Sequence, residues 1–139
     1  PEVKYFFGKI TMYPSYDSFA RDMILYFMHQ YFPDQDKLVV PREPLVIQTR
    51  EKVLRSIFSG ANYDEDYKIL VQKVRGLNEQ IPPLVNAYMN LSGSMRTFGT
   101  AINDAFGMVE ETAIIITIAD IYDYKKDRHI ATFKNSNNK

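Results

Sequence analysis

Residues 111–119 read Glu-Thr-Ala-Ile-Ile-Ile-Thr-Ile-Ala. A run this rich in β-branched side chains has no helical period, and it is too short for a buried helix of ordinary length, so it reads as a strand. The apolar stretch from Ala113 to Ala119 is broken by Thr117 and falls well short of the roughly 18 residues of a membrane span. A second strand-like segment, Lys4 to Met12 (KYFFGKITM), stands at the other end of the chain, with Gly8 in its middle. Glycine inside a strand marks a bulge or a close backbone approach. Two strands separated by about a hundred residues of mostly helical pattern predict a mixed α+β domain.

The helical pattern is clearest after Tyr13-Pro14-Ser15, which breaks the first strand. Phe19, Ala20, Met23, Ile24, Phe27, Met28 and Tyr31 recur at helical spacing and predict a helix to about Phe32, with Ser15 as its N-cap and Pro33 as its stop. Asp34 to Pro44 holds two prolines beyond Pro33 and reads as a long loop. Leu45 to Thr49 fits a short edge strand. Arg50 to Phe58 fits a short helix ended by Ser59-Gly60, and Asp64 to Leu77 a longer one. Asn78 to Leu91 reads as a third helix or a continuation, with Pro82 and Pro83 in its first turn and Gly93 as a left-handed C-cap. Met95 to Ile102 and Glu111 to Ala119 are strands. The loop between them carries Asn103, Asp104 and Gly107 and predicts an antiparallel hairpin. Asp120 to Phe133 fits a short helix. The expected layout is one domain over 1–133 and a disordered polar tail over 134–139.

Composition narrows the chemistry. Seventeen basic residues balance seventeen acidic ones among 139, so there is no bulk attraction to nucleic acid or to an anionic membrane surface. The chain has no Cys, which removes disulfides, zinc knuckles and thiol nucleophiles and suits a cytoplasmic setting. Ten Tyr and nine Phe fit an aromatic core with hydroxyls at its rim. His29 and His129 have no second ligand at metal spacing, so no metal site is expected. Phosphate-binding glycine loops and the GxSxG and HExxH motifs are missing. Two places are less generic. One is the strand-to-helix turn from Phe7 to Tyr16, whose helix start presents backbone N–H groups. The other is the segment from Ile81 through Tyr88 and Gly93 to the hairpin tip at Phe106.

The second segment resembles a known pattern. Ile81, Pro82, Leu84, Tyr88, Gly93, Phe106, Ile114 to Ile116 and Asp120 are similar to the C-terminal signature of acyl carrier protein-dependent N-acyltransferases of the ornithine-lipid type. These are GNAT-superfamily proteins often labelled hemolysins. Tyr5-Phe6-Phe7-Gly8 and Ala20-Arg21-Asp22 resemble the segment preceding that signature. The similarity covers most of the chain and is weakest over 35–62. The family often has Asp where Asn103 stands and a second Gly near Ser92 to Ser94.

The resemblance implies the C-terminal half of a GNAT fold, with the donor-gripping glycine turn upstream of Pro1. It implies transfer of a fatty acyl group from acyl carrier protein or a coenzyme A thioester to an amino-acid amine, with no tightly bound cofactor and no covalent nucleophile. It also brings an expectation of peripheral membrane contact. The isolated segment would be inactive. Candidate substrate-contacting residues are Gly8, Ser15, Tyr16, Arg21, Asn103 and Asp104, with the catalytic residues unassigned. Arg21 would pair with a substrate carboxylate, or at the surface with Asp17 or Glu2. The open edge of the first strand would favour a homodimer. The competing reading is a non-catalytic interaction module built from a partial GNAT fold.

Overall fold

The computed structural model describes residues 2–123 and 125. The chain has the mixed α+β class expected, in an arrangement consistent with part of a GNAT-like fold. β1 (Tyr5–Met12) leads into α1 (Ser18–Tyr31). Three further helices follow: α2 (Glu51–Ile57), α3 (Tyr63–Gly76) and α4 (Pro83–Met89). The hairpin β2 (Arg96–Asn103) and β3 (Val109–Thr117) comes next, and a single 3-10 turn (Ile118–Asp120) ends the described elements apart from the residues just after it. The expected helix to Phe133 falls mostly outside the described residues, as do His129 and the tail 134–139.

The sheet order is β1-β3-β2, antiparallel throughout. β3 is central because its residues are apolar on both sides. Ile114 and Ile116 are fully buried on the helix side. Ala113 and Ile115 alternate with them on the other face, as the two-residue period of a strand requires. β1 pairs with β3 along its whole length, from Tyr5 opposite Thr117 to Met12 opposite Glu110. Its other edge carries no strand among the described residues. Gly107 at the hairpin tip has φ +69° and Met108 has φ 58°, so the tip uses left-handed backbone at two successive residues.

α1 lies against this sheet and is buried on most of its circumference. Arg21, Asp22, Met23, Ile24 and Leu25 are buried in succession. Phe27 packs its ring against Tyr31, Phe58, Tyr63 and Tyr67. Leu54, Leu70, Val74, Val85 and Met89 complete the core from the other helices.

Several local expectations are corrected. Asp17, not Ser15, caps α1: its carboxylate accepts from the Ala20 amide at 3.0 Å. A turn closed by the Tyr16 amide on the Tyr13 carbonyl occupies Tyr13 to Tyr16 first, so the helix starts later. Leu45 to Thr49 is not a strand. It is an extended segment that gives β2 one bond, from the Leu45 amide to the Thr100 carbonyl at 2.7 Å. The expected helix over 78–91 shrinks to α4, because Asn78 takes φ 58° just past the end of α3. Pro83 then sits in the first helical turn, where its missing N–H costs nothing. Gly93 is not left-handed. The positive-φ glycines are Gly60 and Gly107.

α3 is fastened to α1 by a buried carboxylate. Asp66 is fully buried and accepts from the Ser59 amide (3.0 Å), the Ser59 hydroxyl (3.1 Å), the Gly60 amide (2.9 Å) and the Tyr31 hydroxyl. Burial alone would raise its pKa. The hydrogen bonds outweigh burial and hold it below the ordinary 3.8. A carboxylate with a depressed folded pKa contributes stability above its unfolded value and loses that contribution as pH falls through the folded value. Asp66→Asn turns an NH2 toward these donors and should cost about 3 kcal/mol at pH 7. Chemical denaturation across pH should show the gap between wild type and variant narrowing below about pH 4. An equal gap at pH 3 and pH 7 would contradict this.

Candidate functional site

The free edge of β1 carries the densest gathering of uncommon features. Gly8 pairs with Ile114. A Cβ built on Gly8 would stand 3.0 Å from Ile114 Cδ1, 3.0 Å from the Tyr88 hydroxyl and 3.1 Å from Phe6 Cε1. Tyr88 of α4 therefore lays its phenol against the β1 backbone, beside the Phe6 ring, with ring centroids 5.8 Å apart. The side chain Gly8 lacks is the space the hydroxyl uses: the close neighbours of Gly8 are side chains, not backbone, and the β1–β3 register runs through it without a bulge. The Tyr88 hydroxyl has no hydrogen-bond partner among the described residues.

The turn after β1 fixes α4 in place. The Tyr16 hydroxyl donates to the Gln80 carbonyl at 2.8 Å, and the Asp17 amide donates to Glu79 Oε1 at 3.0 Å. Both acceptors lie just before Pro83, so the β1–α1 turn sets where α4 starts and hence where Tyr88 arrives. Burial first, then Glu79 and Asp17, push the Tyr16 phenol up to about 12. Tyr16 therefore stays a neutral donor and is suited to holding the carbonyl. Ser15 is exposed.

The remaining candidates are placed elsewhere. Arg21 is buried, 6% exposed, and pairs with neither Asp17 nor Glu2. Its Nε and Nη2 donate to Asp22 Oδ1 at 3.0 and 2.9 Å, and its Nη1 donates to Glu110 Oε1 at 2.7 Å. Burial lowers its pKa, but the two carboxylates outweigh burial and keep it charged. The other Asp22 oxygen accepts from the Thr49 amide (2.9 Å) and hydroxyl (2.7 Å). Arg21 thus ties α1 to β3 and, through Asp22, to the segment before α2. Asn103 Nδ2 donates to Glu111 Oε1 at 3.2 Å, beside Lys9 Nζ at 3.1 Å. The Asn103 bond, then Lys9, hold the Glu111 carboxyl below its usual range. Asp104 is exposed at the hairpin tip. No hydrogen bond or ion pair joins any one of the six candidates to another.

Tyr88 belongs with Gly8, and sequence reasoning missed it as a site residue. Its spacing from Pro83 puts it in the last helical turn, but nothing local says that this turn reaches β1. Among the described residues no group of His, Asp and Glu could hold a metal ion, and no helix is long and apolar enough to cross a membrane.

The chain is similar to two curated proteins named glycine N(alpha)-acyltransferase. One, from Bacteroides thetaiotaomicron, is 56% identical over 133 residues, 96% of this chain and 40% of the relative. The other, from Phocaeicola vulgatus, is 57% identical over 133 residues, 96% of this chain and 41% of the relative. The chain therefore spans about two fifths of the length of these relatives. No protein-family model matches the chain, and no solved structure matches it.

If the space at Gly8 is reserved for the Tyr88 hydroxyl, Gly8→Ala should destabilise by about 1 kcal/mol through overpacking. Tyr88→Phe, which removes the oxygen the new Cβ meets, should recover part of that loss. A double-mutant cycle by urea denaturation reads the coupling. Strict additivity would mean that the hydroxyl is not the obstacle.

Proposed function

We propose that this chain is part of an N-acyltransferase that moves a fatty acyl group from a thioester of acyl carrier protein or coenzyme A to the amine of a small amino acid. The relatives' names favour glycine over ornithine as that acceptor. The observation that carries the reading is the identity to those two proteins, sustained over nearly the whole chain. The product would be an acylated amino-acid lipid made in the cytoplasm.

The reaction asks little of the protein beyond placement. A neutral amine attacks the thioester carbonyl, a C–N bond forms, the C–S bond breaks, the amine gives up a proton and the departing thiolate takes one. The groups placed for a role in this chain are at the open β1 edge. Gly8 is buried and gives its side-chain space to the Tyr88 phenol, which has no hydrogen-bond partner among the described residues and is a candidate proton donor to the thiolate. Tyr16 positions α4 and hence Tyr88, and Arg21 holds α1 on the sheet. Asn103 orients the Lys9–Glu111 pair. The free edge also fits a strand supplied by the remainder of the longer protein, which would place the donor-gripping turn beside Gly8.

The test uses a protein of the relatives' full length that carries this segment. Given acyl carrier protein or coenzyme A thioesters and glycine, it should release N-acylglycine, detected by mass spectrometry. Tyr88→Phe should lower kcat about 100-fold, the usual loss of a general acid, with the folded fraction unchanged. No turnover with either donor would favour the non-catalytic module. Full kcat in Tyr88→Phe would remove Tyr88 from the chemistry while leaving the transferase reading intact.

A further inference from the structure

α3, α4 and the link between them enclose a cavity of about 260 Å³. Tyr67, Val71 and Arg75 stand four residues apart on α3 and form one stripe of its wall. The chain then turns back. Asn78 takes φ 58°, its amide donates to the Arg75 carbonyl at 2.9 Å, and the Glu79 amide donates to the Val74 carbonyl at 3.2 Å. This return lays Gln80 and Ile81 beside the stripe, where the Tyr16 hydroxyl holds the Gln80 carbonyl. Asn86 of α4 closes the far end, its Oδ1 accepting from the Tyr67 hydroxyl. The walls are thus fixed by their own hydrogen bonds, which lowers the ordering cost of binding.

The lining offers donors and holds no carboxylate. The Arg75 guanidinium is exposed and has no hydrogen bond or ion pair among the described residues. Its place in the last turn of α3 suits the helix dipole, which accounts for a cation there but not for the cavity beside it. The bond from Tyr67 commits the Asn86 oxygen as an acceptor and leaves its NH2 without one among the described residues. The acids next to lining residues in sequence are engaged elsewhere: Glu79 by the Asp17 amide, Asp66 by Ser59, Gly60 and Tyr31. Half-buried Val71 and Ile81 supply the apolar part of the wall. Tyr67 and Arg75 are separated by about 12 Å of helix, a gap that the length of the Arg side chain shortens.

We infer that this cavity binds a small carboxylate that carries an amide or carbonyl oxygen a few bonds away. The carboxylate sits on Arg75, the second oxygen on the Asn86 NH2, and the stem on Val71 and Ile81. A planar guanidinium matches the two oxygens of a carboxylate. A phosphate dianion is disfavoured, because the lining has one cation and the carbonyl end of α3 lies beside it. The volume is below the range of pockets for drug-sized ligands, so coenzyme A is too large for it. The class follows from the cavity's donors and does not rest on the acyl-transfer reading, although the acylated amino acid proposed as product belongs to it.

The full-length protein is titrated with N-acetylglycine, and the bound fraction is followed by ligand-observed NMR, with no turnover measured. Saturable binding is expected at millimolar concentration. Arg75→Gln should weaken it about tenfold, the loss of one charge-assisted pair, with the thermal melt unchanged. Asn86→Asp keeps the acceptor for Tyr67 but replaces the NH2 with a negative oxygen, and should weaken binding at least as much. Lys73→Gln removes a cation of the same helix that does not line the cavity and should leave binding intact. N-acetylglycinamide, which lacks the carboxylate, and inorganic phosphate should both bind far more weakly. Absence of saturable binding would overturn the inference, as would binding that survives in Arg75→Gln or Asn86→Asp. So would an equal loss in Lys73→Gln, or equal binding of the glycinamide or of phosphate.

Discussion

β3 has to be bonded along both edges and covered on its Ile114 and Ile116 face, and most of the molecule follows from that requirement. Ala113, Ile114, Ile115 and Ile116 put aliphatic side chains on each side of the strand, a pattern that suits the middle of a sheet rather than its rim. β1 and β2 supply the two edges. α1 covers one face, with Met23, Ile24, Phe27 and Met28 in the core beside Ile114 and Ile116. β3 also carries the polar ties that set the register of its neighbours. Glu110 receives Arg21 from α1, and Glu111 receives Lys9 from β1 and Asn103 from β2.

The segments with the least regular pattern are held by buried carboxylates on α1 and α3. Asp22 gathers Thr49, and Asp66 gathers Ser59 and Gly60. A buried charge gains little net stability over an apolar side chain of the same size, because desolvation offsets much of its attraction. It does impose geometry, since each oxygen needs its donors at hydrogen-bond distance. That geometry brings the chain on either side of α2 back onto the helix pair. It also explains why α1 is buried on nearly its whole circumference while carrying Arg21 and Asp22 in its middle.

This division accounts for what the sequence discloses. Elements built on periodic apolar residues are legible: β1, α1, α3 and the hairpin lie within two residues of their expected bounds. Elements that depend on distant partners are not. Ser15 is as good an N-cap by type as Asp17, and the choice falls to the turn that Tyr13 and Tyr16 close. Leu45 to Thr49 has strand composition, but after one backbone bond to β2 its end is drawn off to Asp22. Arg21 reads as a surface charge until Glu110 arrives from 89 residues away. The candidate site is legible only in part for the same reason. Gly8 stands out as a glycine in an aromatic strand, whereas its partner Tyr88 depends on where the Tyr16–Gln80 bond sets α4. The two-sided apolar pattern of β3 suits a central strand, but that β1, a hundred residues away, is its second partner is a fact of tertiary packing that no local pattern carries.

Among the described residues β1 pairs on one edge only, and we propose that a further strand pairs with its other edge in a protein of the relatives' length. Native-state amide hydrogen exchange by NMR tests this directly on the β1 amides that point away from β3. In the 139-residue chain, dilute enough to remain monomeric, these amides should exchange quickly while their β3-bonded neighbours are protected. In the full-length protein both sets should be protected. Equal protection of both sets in the dilute chain, or rapid exchange of the outward set in the full-length protein, would contradict the claim that another strand completes the sheet beside Gly8 and Tyr88.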